Sequence, residues 1–257
     1  MAEEKGTLSP GKHLMMGNVA IAEGALAAGL RFFAGYPITP STEIPEHLAV
    51  RLPQEGGAFI QMEDELASIN AVCGASIAGV KAMTATSGPG VSLMTETISW
   101  AASMEIPFVL VDVQRNGPGT GFVTAPHHND IGLVKYAGNG EFEVIALAPM
   151  SCQESFDFTI HAFNLAETYR CPTYVLSDAY LGHIHEPVII PPPEEVAEKV
   201  IRREMPDPVP YEKFSQLKGD EVKLTPPPIL GTDYYPGTFF SQPHGPTGVP
   251  FDSDAEA

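Results

Sequence analysis

Within the first 190 residues the chain repeats one pattern five times: a short β-rich run, a polar or Gly/Pro turn, then a helix-forming segment. The runs begin near Phe32-Phe33, Ala58-Phe59-Ile60, Val80-Lys81-Ala82-Met83, Phe108-Val109-Leu110-Val111 and Phe142-Glu143-Val144-Ile145, and a last run stands at Thr173-Tyr174-Val175-Leu176. Several are apolar on both alternations, as strands are when helices cover both faces of the sheet. Alternating β and α units therefore predict an α/β fold with a parallel, doubly wound sheet. Helix starts are legible as well. Thr42 as a cap places Pro45 at the third helical position, where no intrahelical N–H bond is lost, and Ser151 with Glu154 forms an S-x-x-E capping box.

After Ile190 the texture changes, because 13 of the 25 prolines fall in the last 67 residues. Runs at Pro191 to Pro193 and Pro226 to Pro228 bracket one plausible helix, Glu194 to Arg203, and such composition favours extended, solvated backbone. Residues 1–13 are expected to be a flexible N-terminus, 14–190 the α/β domain and 191–257 a proline-rich arm or linker. The ending Asp252-Ser-Asp-Ala-Glu-Ala supplies no closing strand or helix, which suggests a longer design cut short or an arm received by another chain.

In an open parallel sheet, ligands lie beyond the carboxyl ends of the strands, so the loops after the β runs are the place to search. Four are unusual: Gly35 to Thr42, Gln61 to Glu65, Thr86 to Gly90 and Gln114 to Gly121. The first sets two prolines around Ile38-Thr39 and serves either as a rigid donor loop, aiming the hydroxyls of Thr39, Ser41 and Thr42, or as a plain capped turn. The second brings Glu63, Asp64 and Glu65 into a helix start. The helix dipole alone favours that, with Asp64 a ready N-cap, and a functional carboxyl there requires desolvation and a raised pKa. Ser87-Gly-Pro-Gly90 lacks the lysine of a phosphate loop, and its glycines permit either close approach of a ligand or a tight turn.

Arg115 is the sharpest single residue. It is the only Lys or Arg between Lys81 and Lys135, and it directly follows an apolar strand. A lone guanidinium there suits bidentate capture of a carboxylate or phosphate, or else a structural pair with a nearby acidic side chain.

Composition narrows the partners. A formal charge of −18 disfavours nucleic acid and anionic membrane surfaces. No run approaches the roughly 20 apolar residues of a membrane span, and the N-terminus lacks signal-peptide order, so a cytoplasmic location is expected. Cys73, Cys152 and Cys171 are widely spaced without a C-x-x-C pair and read as buried thiols. His127-His128 and His183-x-His185 lack a third ligand by spacing, so no metal site is predicted.

The residues at these loops resemble those of a known family, the α-type chains of 2-oxoacid:ferredoxin oxidoreductases, which are thiamine-diphosphate enzymes. The similar stretches are Gly17-Asn-Val-Ala-Ile-Ala-Glu-Gly, Tyr36-Pro-Ile-Thr-Pro, Gln61-Met-Glu-Asp-Glu-Leu-Ala-Ser-Ile69, Ala82-Met-Thr-Ala-Thr-Ser-Gly-Pro-Gly90, Val111-Asp-Val-Gln-Arg115 and Gly117-Pro-Gly-Thr-Gly121, continuing to Leu176-Ser-Asp178. The resemblance implies a pyrimidine-binding domain in residues 14–190. Glu65 then matches the family's catalytic glutamate, whose carboxyl hydrogen-bonds the pyrimidine ring, Thr39 and Arg115 match substrate contacts, and Tyr36, Pro37, Ile38, Ser87 and Gly88 lie on cofactor-binding motifs. It implies oxidative decarboxylation of a 2-oxoacid to its acyl-CoA with electrons passed to ferredoxin. Thiamine diphosphate would be shared with a diphosphate-binding β-type subunit. Magnesium and an iron–sulfur cluster would sit on partner chains, with gamma-type and ferredoxin-like subunits and coenzyme A as further partners. Met62-Glu-Asp-Glu65 leans toward the 2-oxoglutarate type, whereas Glu105-Ile-Pro107 and Gly117-Pro-Gly119 also suit branched-chain relatives. The stretch Phe122 to Gly138 departs from the family pattern and leaves Asp130 a loose match. A non-catalytic scaffold subunit that keeps the fold is the alternative of a different class.

Overall fold

A computed structural model describes residues 8–203 of the chain. Six strands form one sheet in the order β3-β2-β4-β5-β7-β6, with every neighbour pair parallel. These strands are β2 (Phe32–Gly35), β3 (Ala58–Gln61), β4 (Ala82–Thr86), β5 (Phe108–Gln114), β6 (Ile145–Leu147) and β7 (Pro172–Asp178). Five of them fall on the runs expected from the sequence, whereas β6 begins only at Ile145, the last residue of the expected Phe142 to Ile145 run. The central strands β4 and β5 are buried along their whole length, whereas the edge strands β3 and β6 are largely open to solvent.

Burial on both faces follows from the helices. On one face Val109, Val111 and Val113 of β5 and Met83 of β4 pack with Ile21 of α1 (Gly17–Ala27), Leu48 of α2 (Glu43–Gln54) and Phe156 and Phe163 of α6 (Cys152–Tyr169). On the other, Phe108 and Leu110 of β5 join Ile69 and Val72 of α3 (Glu65–Ile77), Val91, Met94 and Ile98 of α4 (Gly88–Ser103) and Val134 of α5 (Asp130–Lys135). Successive β5 side chains thus serve opposite cores, which is the pleat expressed in sequence. Each fully buried Leu, Ile, Val or Phe contributes roughly 1.5–3 kcal/mol, so these two layers supply the main driving force.

The helix starts resolve individually. Asp64 caps α3, with Oδ1 accepting the Ala67 N–H over 2.7 Å. Ser151 caps α6 by accepting from the Glu154 N–H, but the Glu154 carboxylate reaches back one residue further than a capping box requires, to the Met150 N–H. Thr42 occupies the N-cap position of α2 in helical conformation and makes no side-chain cap bond, so the expected Thr42 cap is corrected. The preceding turn is closed instead by Ser41, whose N–H and hydroxyl both donate to the Ile38 carbonyl.

Two strands lie outside the repeated pattern. β1 (Gly11–Met16) and β8 (His185–Ile190) form an antiparallel ribbon in which Gly11 pairs with Ile190 and Met16 with His185. β1 therefore begins three residues before the position where the sequence alone starts the domain. The short α7 (Ala179–His183), capped by Asp178, leads into β8.

Beyond the ribbon, α8 spans Pro193–Lys199, shorter than the Glu194 to Arg203 helix expected. The residues after it are fastened to the domain. Lys81 Nζ donates to the Ile201 and Ala28 carbonyls, Asn164 bonds Lys199 and Ile201, and Arg203 makes two 2.8 Å bonds to the Glu167 carboxylate. Residues 204–257 of the proline-rich arm lie outside the described residues.

Candidate active site at the carboxyl ends of the strands

β3, β2, β4 and β5 are consecutive neighbours in the sheet, so the four unusual loops that leave them emerge side by side at its carboxyl edge. Sheet order, which the sequence does not state, gathers residues spread from Tyr36 to Arg115.

Glu65 is the first residue of α3, placed there by the Asp64 cap, and is only 6% exposed. Burial raises its carboxyl above the usual range, and Asp64 raises it further, while its own backbone N–H and the Arg115 guanidinium pull the other way. No other side chain among the described residues hydrogen-bonds that carboxyl. It lies against Gly90, where a Cβ would stand 1.9 Å from Thr86 Oγ1 and 2.9 Å from both Cγ and Oε1 of Glu65. Glycine at 90 is thus what lets α4 start beside the acid.

Arg115 follows β5 directly and is 6% exposed. Its Nη1 donates to the Thr39 main-chain carbonyl over 2.7 Å, and its Nε has no partner among the described residues. The guanidinium is hydrogen-bonded by backbone rather than by an acidic side chain, and it keeps N–H capacity for an incoming anion. Thr39 itself is exposed and precedes a cis bond to Pro40. Buried Asn18 on α1 fixes the next carbonyl, donating to Pro40 and to the Glu43 carboxylate. The Tyr36 and Pro37 side chains form an exposed rim with Ile38 half-buried beneath it. Ser87 is fully buried with its hydroxyl unpartnered among the described residues, and Gly88 opens α4.

Two acids join this group without having been singled out strongly by sequence. Asp130, the loose match, opens α5 and is buried, and a Cβ on Gly88 would lie 2.5–2.7 Å from its carboxyl atoms. Asp112 is a carboxyl in the middle of an apolar strand and is fully buried, with both oxygens unpartnered among the described residues. The signal that could have found it is its break in the alternation Phe108-Val-Leu-Val-Asp112.

The histidines and cysteines form no hydrogen bond with Glu65 or Arg115 among the described residues. His127 and His128 are exposed, and His128 pairs with Asp178 over 3.1 Å. His183 lies 3.4 Å from Glu43. Among the described residues no group of three or more His, Cys, Asp or Glu is placed to hold a metal ion. Burial pushes the Cys73 thiol up to about 12 and those of Cys152 and Cys171 up to about 11, so all three are inert as nucleophiles near neutral pH. None of the described helices is long and apolar enough to cross a membrane.

A buried carboxyl able to hold its proton, a guanidinium with a spare N–H and an exposed rim of Tyr36 and Thr39 can together orient a carboxylate beside a group that exchanges a proton with Glu65. The family model described as pyruvate flavodoxin/ferredoxin oxidoreductase, thiamine diphosphate-binding, matches residues 23–243. The 2-oxoglutarate synthase subunit KorA of Methanothermobacter marburgensis is 50% identical over 223 residues, covering 87% of this chain and 58% of that subunit. The ketoisovalerate oxidoreductase subunit VorB of Methanothermobacter thermautotrophicus is 46% identical over 186 residues, 72% of this chain and 52% of that subunit. Among solved structures, the 2-oxoglutarate:ferredoxin oxidoreductase from Magnetococcus marinus with 2-oxoglutarate, coenzyme A and succinyl-CoA bound superposes with a TM-score of 0.86 at 38% identity, covering 96% of this chain and 42% of that one. The chain thus spans little more than half the length of these relatives.

Proposed function

This chain belongs to the thiamine-diphosphate-binding family of pyruvate flavodoxin/ferredoxin oxidoreductases, and from that premise we propose that it forms the pyrimidine-binding half of the active site of a 2-oxoacid:ferredoxin oxidoreductase of 2-oxoglutarate type. The other half would come from a β-type subunit that binds the diphosphate with its magnesium. Iron–sulfur centres on partner chains would carry electrons to ferredoxin, and coenzyme A would accept the acyl group. The observation that carries this reading is the Glu65 carboxyl, buried at a helix start on the same sheet edge as Arg115.

The residues present fit the cofactor. A carboxyl that burial holds above its usual pKa, with no side chain among the described residues bonded to it, suits a hydrogen bond to a ring nitrogen. The glycine at 90 keeps the space around that carboxyl free of a side chain, and the buried Ser87 hydroxyl still lacks a partner. Tyr36, Pro37, Ile38, Ser87 and Gly88 would hold the pyrimidine. When bound, thiamine diphosphate supplies a carbon nucleophile for the keto group and takes up the electrons released by decarboxylation.

The chain's own residues do the rest. Glu65 would share its proton with a ring nitrogen of the bound pyrimidine. Arg115 offers its remaining N–H groups to the oxoacid carboxylate, with its orientation set by the Thr39 carbonyl. The Thr39 hydroxyl, on the exposed rim, contacts the substrate.

The test is reconstitution with the β-type partner, measuring coenzyme A-dependent dye reduction with 2-oxoglutarate alongside thiamine diphosphate binding. Glu65→Gln should keep cofactor binding and lose activity by about 10²–10⁴-fold, the range for removing a general acid–base. Wild-type rates in that variant would overturn the role of Glu65. The similarity to a ketoisovalerate oxidoreductase subunit favours one second reading, a branched-chain 2-oxoacid as substrate. A higher kcat/KM for the branched-chain acid than for 2-oxoglutarate would decide for it.

A further inference from the structure

The loops that leave the carboxyl ends of the six sheet strands are residues 36–42, 62–64, 87, 115–129 and 148–151, and β7 runs directly into α7. Together they hold one arginine, no lysine and two histidines, namely Arg115, His127 and His128. In a chain with a formal charge of −18, these three are the side chains of those loops that can carry positive charge toward an anion.

Hydrogen bonds fix His128 beside Arg115. Asp178 ends β7 directly opposite Gln114, the residue before Arg115 on β5, and His128 Nε2 donates to its Oδ2 over 3.1 Å. The next residue, Asn129, accepts the Gly117 N–H at 3.4 Å and donates to the Asp130 carboxylate at 3.0 Å. One anchor therefore faces the residue before Arg115, and the other lies two residues after it. Asp178 Oδ1 is occupied as the α7 cap, accepting the Tyr180 and Leu181 N–H groups over 2.7 and 3.0 Å. Its charge is thus shared among three donors rather than given wholly to the histidine. With Nε2 donating to an acceptor-only carboxylate, the second N–H of a protonated imidazole sits at Nδ1, on a ring that is 63% exposed. Neighbouring strands lie about 4.8 Å apart, a span that a five-carbon diacid bridges.

We propose that His128 is a specificity-determining residue, binding the distal carboxylate of a dicarboxylic 2-oxoacid whose first carboxylate is held by Arg115. The inference rests on the 2-oxoglutarate-type reading above and names the group of this chain that would tell that acid from a monocarboxylic one. His127, exposed in the same loop and outside the Asp178 bond, is the natural control.

The test compares two oxoacids in the reconstituted complex, because 2-oxopentanoate has the same five-carbon chain as 2-oxoglutarate without the distal carboxylate. His128→Leu should raise KM for 2-oxoglutarate by about tenfold or more, the value of one hydrogen bond between charged groups. The constant for 2-oxopentanoate, read as its KM or as its Ki against 2-oxoglutarate, should stay within about twofold of wild type. His128→Lys restores a positive donor and should recover part of the loss, whereas His127→Leu should leave both constants in place. Calorimetry with glutarate, which carries both carboxylates and cannot react, should show the same weakening for His128→Leu without any turnover. An unchanged KM for 2-oxoglutarate, an equal effect on both oxoacids, or an equal effect of His127→Leu would overturn the inference. A wild-type preference for a branched-chain monoacid would overturn it too, while leaving the class of enzyme standing. Failure of the wild-type complex to bind thiamine diphosphate would sink the functional reading instead, with the glutarate titration still deciding the role of His128.

Discussion

The Arg115 guanidinium is tied through Nη1 to the main-chain carbonyl of Thr39, 2.7 Å away and 76 residues earlier in the chain. A carbonyl carries no net charge, so this bond orients the arginine without neutralising it, and the positive charge remains available to a ligand.

That availability predicts a carboxylate-dependent loss. Arg115→Ala should lower kcat/KM for the oxoacid by roughly 10- to 100-fold, the value of a charge-assisted hydrogen bond, mostly through KM. Arg115→Lys should recover only part, because an ammonium cannot span the Thr39 carbonyl and a carboxylate with a planar fork. Steady-state kinetics on the reconstituted enzyme measure both.

The close approach at Gly90 predicts a contrast between two glycines. Gly90→Ala places a methyl group on Thr86 and Glu65 and should cost about 1–3 kcal/mol of stability together with most of the activity. Gly74→Ala, in α3 where a Cβ meets nothing within 4 Å, should raise stability by up to about 1 kcal/mol and leave activity alone. Thermal melts paired with rates would show whether the effect at 90 is local.

Acid stability should depend on Glu23. Burial would raise its carboxyl, but hydrogen bonds from His47 at 2.6 Å and Arg51 at 3.0 Å outweigh that and hold it below the ordinary 4.5. A carboxyl with a lowered folded pKa contributes stability above its unfolded value and loses it as pH falls through the folded one. Glu23→Gln should therefore lower Tm at neutral pH and flatten its decline on acidification below pH 4.5. A parallel shift of the whole curve would contradict this assignment.

Arg203 and Glu167 are each only 4% exposed. Removing one partner strands a buried charge, so Arg203→Ala should cost about 3–5 kcal/mol. The double replacement Arg203→Met with Glu167→Leu should recover most of that in chemical denaturation.

The parallel sheet was legible because Phe108-Val-Leu-Val and its counterparts are apolar on both alternations, a pattern that only a two-sided helix cover explains. Arg115 stood out by being the one cation in a long stretch. The partner it uses was not legible, since a backbone carbonyl 76 residues away leaves no mark in composition. Asp112 was hidden for a related reason: a carboxyl inside a strand reads as solvent-facing until the helices on that face are known. The Thr42 cap failed because Ser41 closes the turn first. The β1–β8 ribbon escaped because its two strands lie at opposite ends of the domain, and their antiparallel pairing is set by tertiary proximity alone.

That ribbon bears on synthesis. Gly11 finds its partner only at Ile190, so a nascent chain leaving the ribosome must expose the first strand until nearly the whole domain has been translated. The central strands can assemble earlier, each with its neighbour, and the ribbon then fastens both ends of the finished domain together. Closure of the domain therefore waits on the last strand to be made, at one clasp.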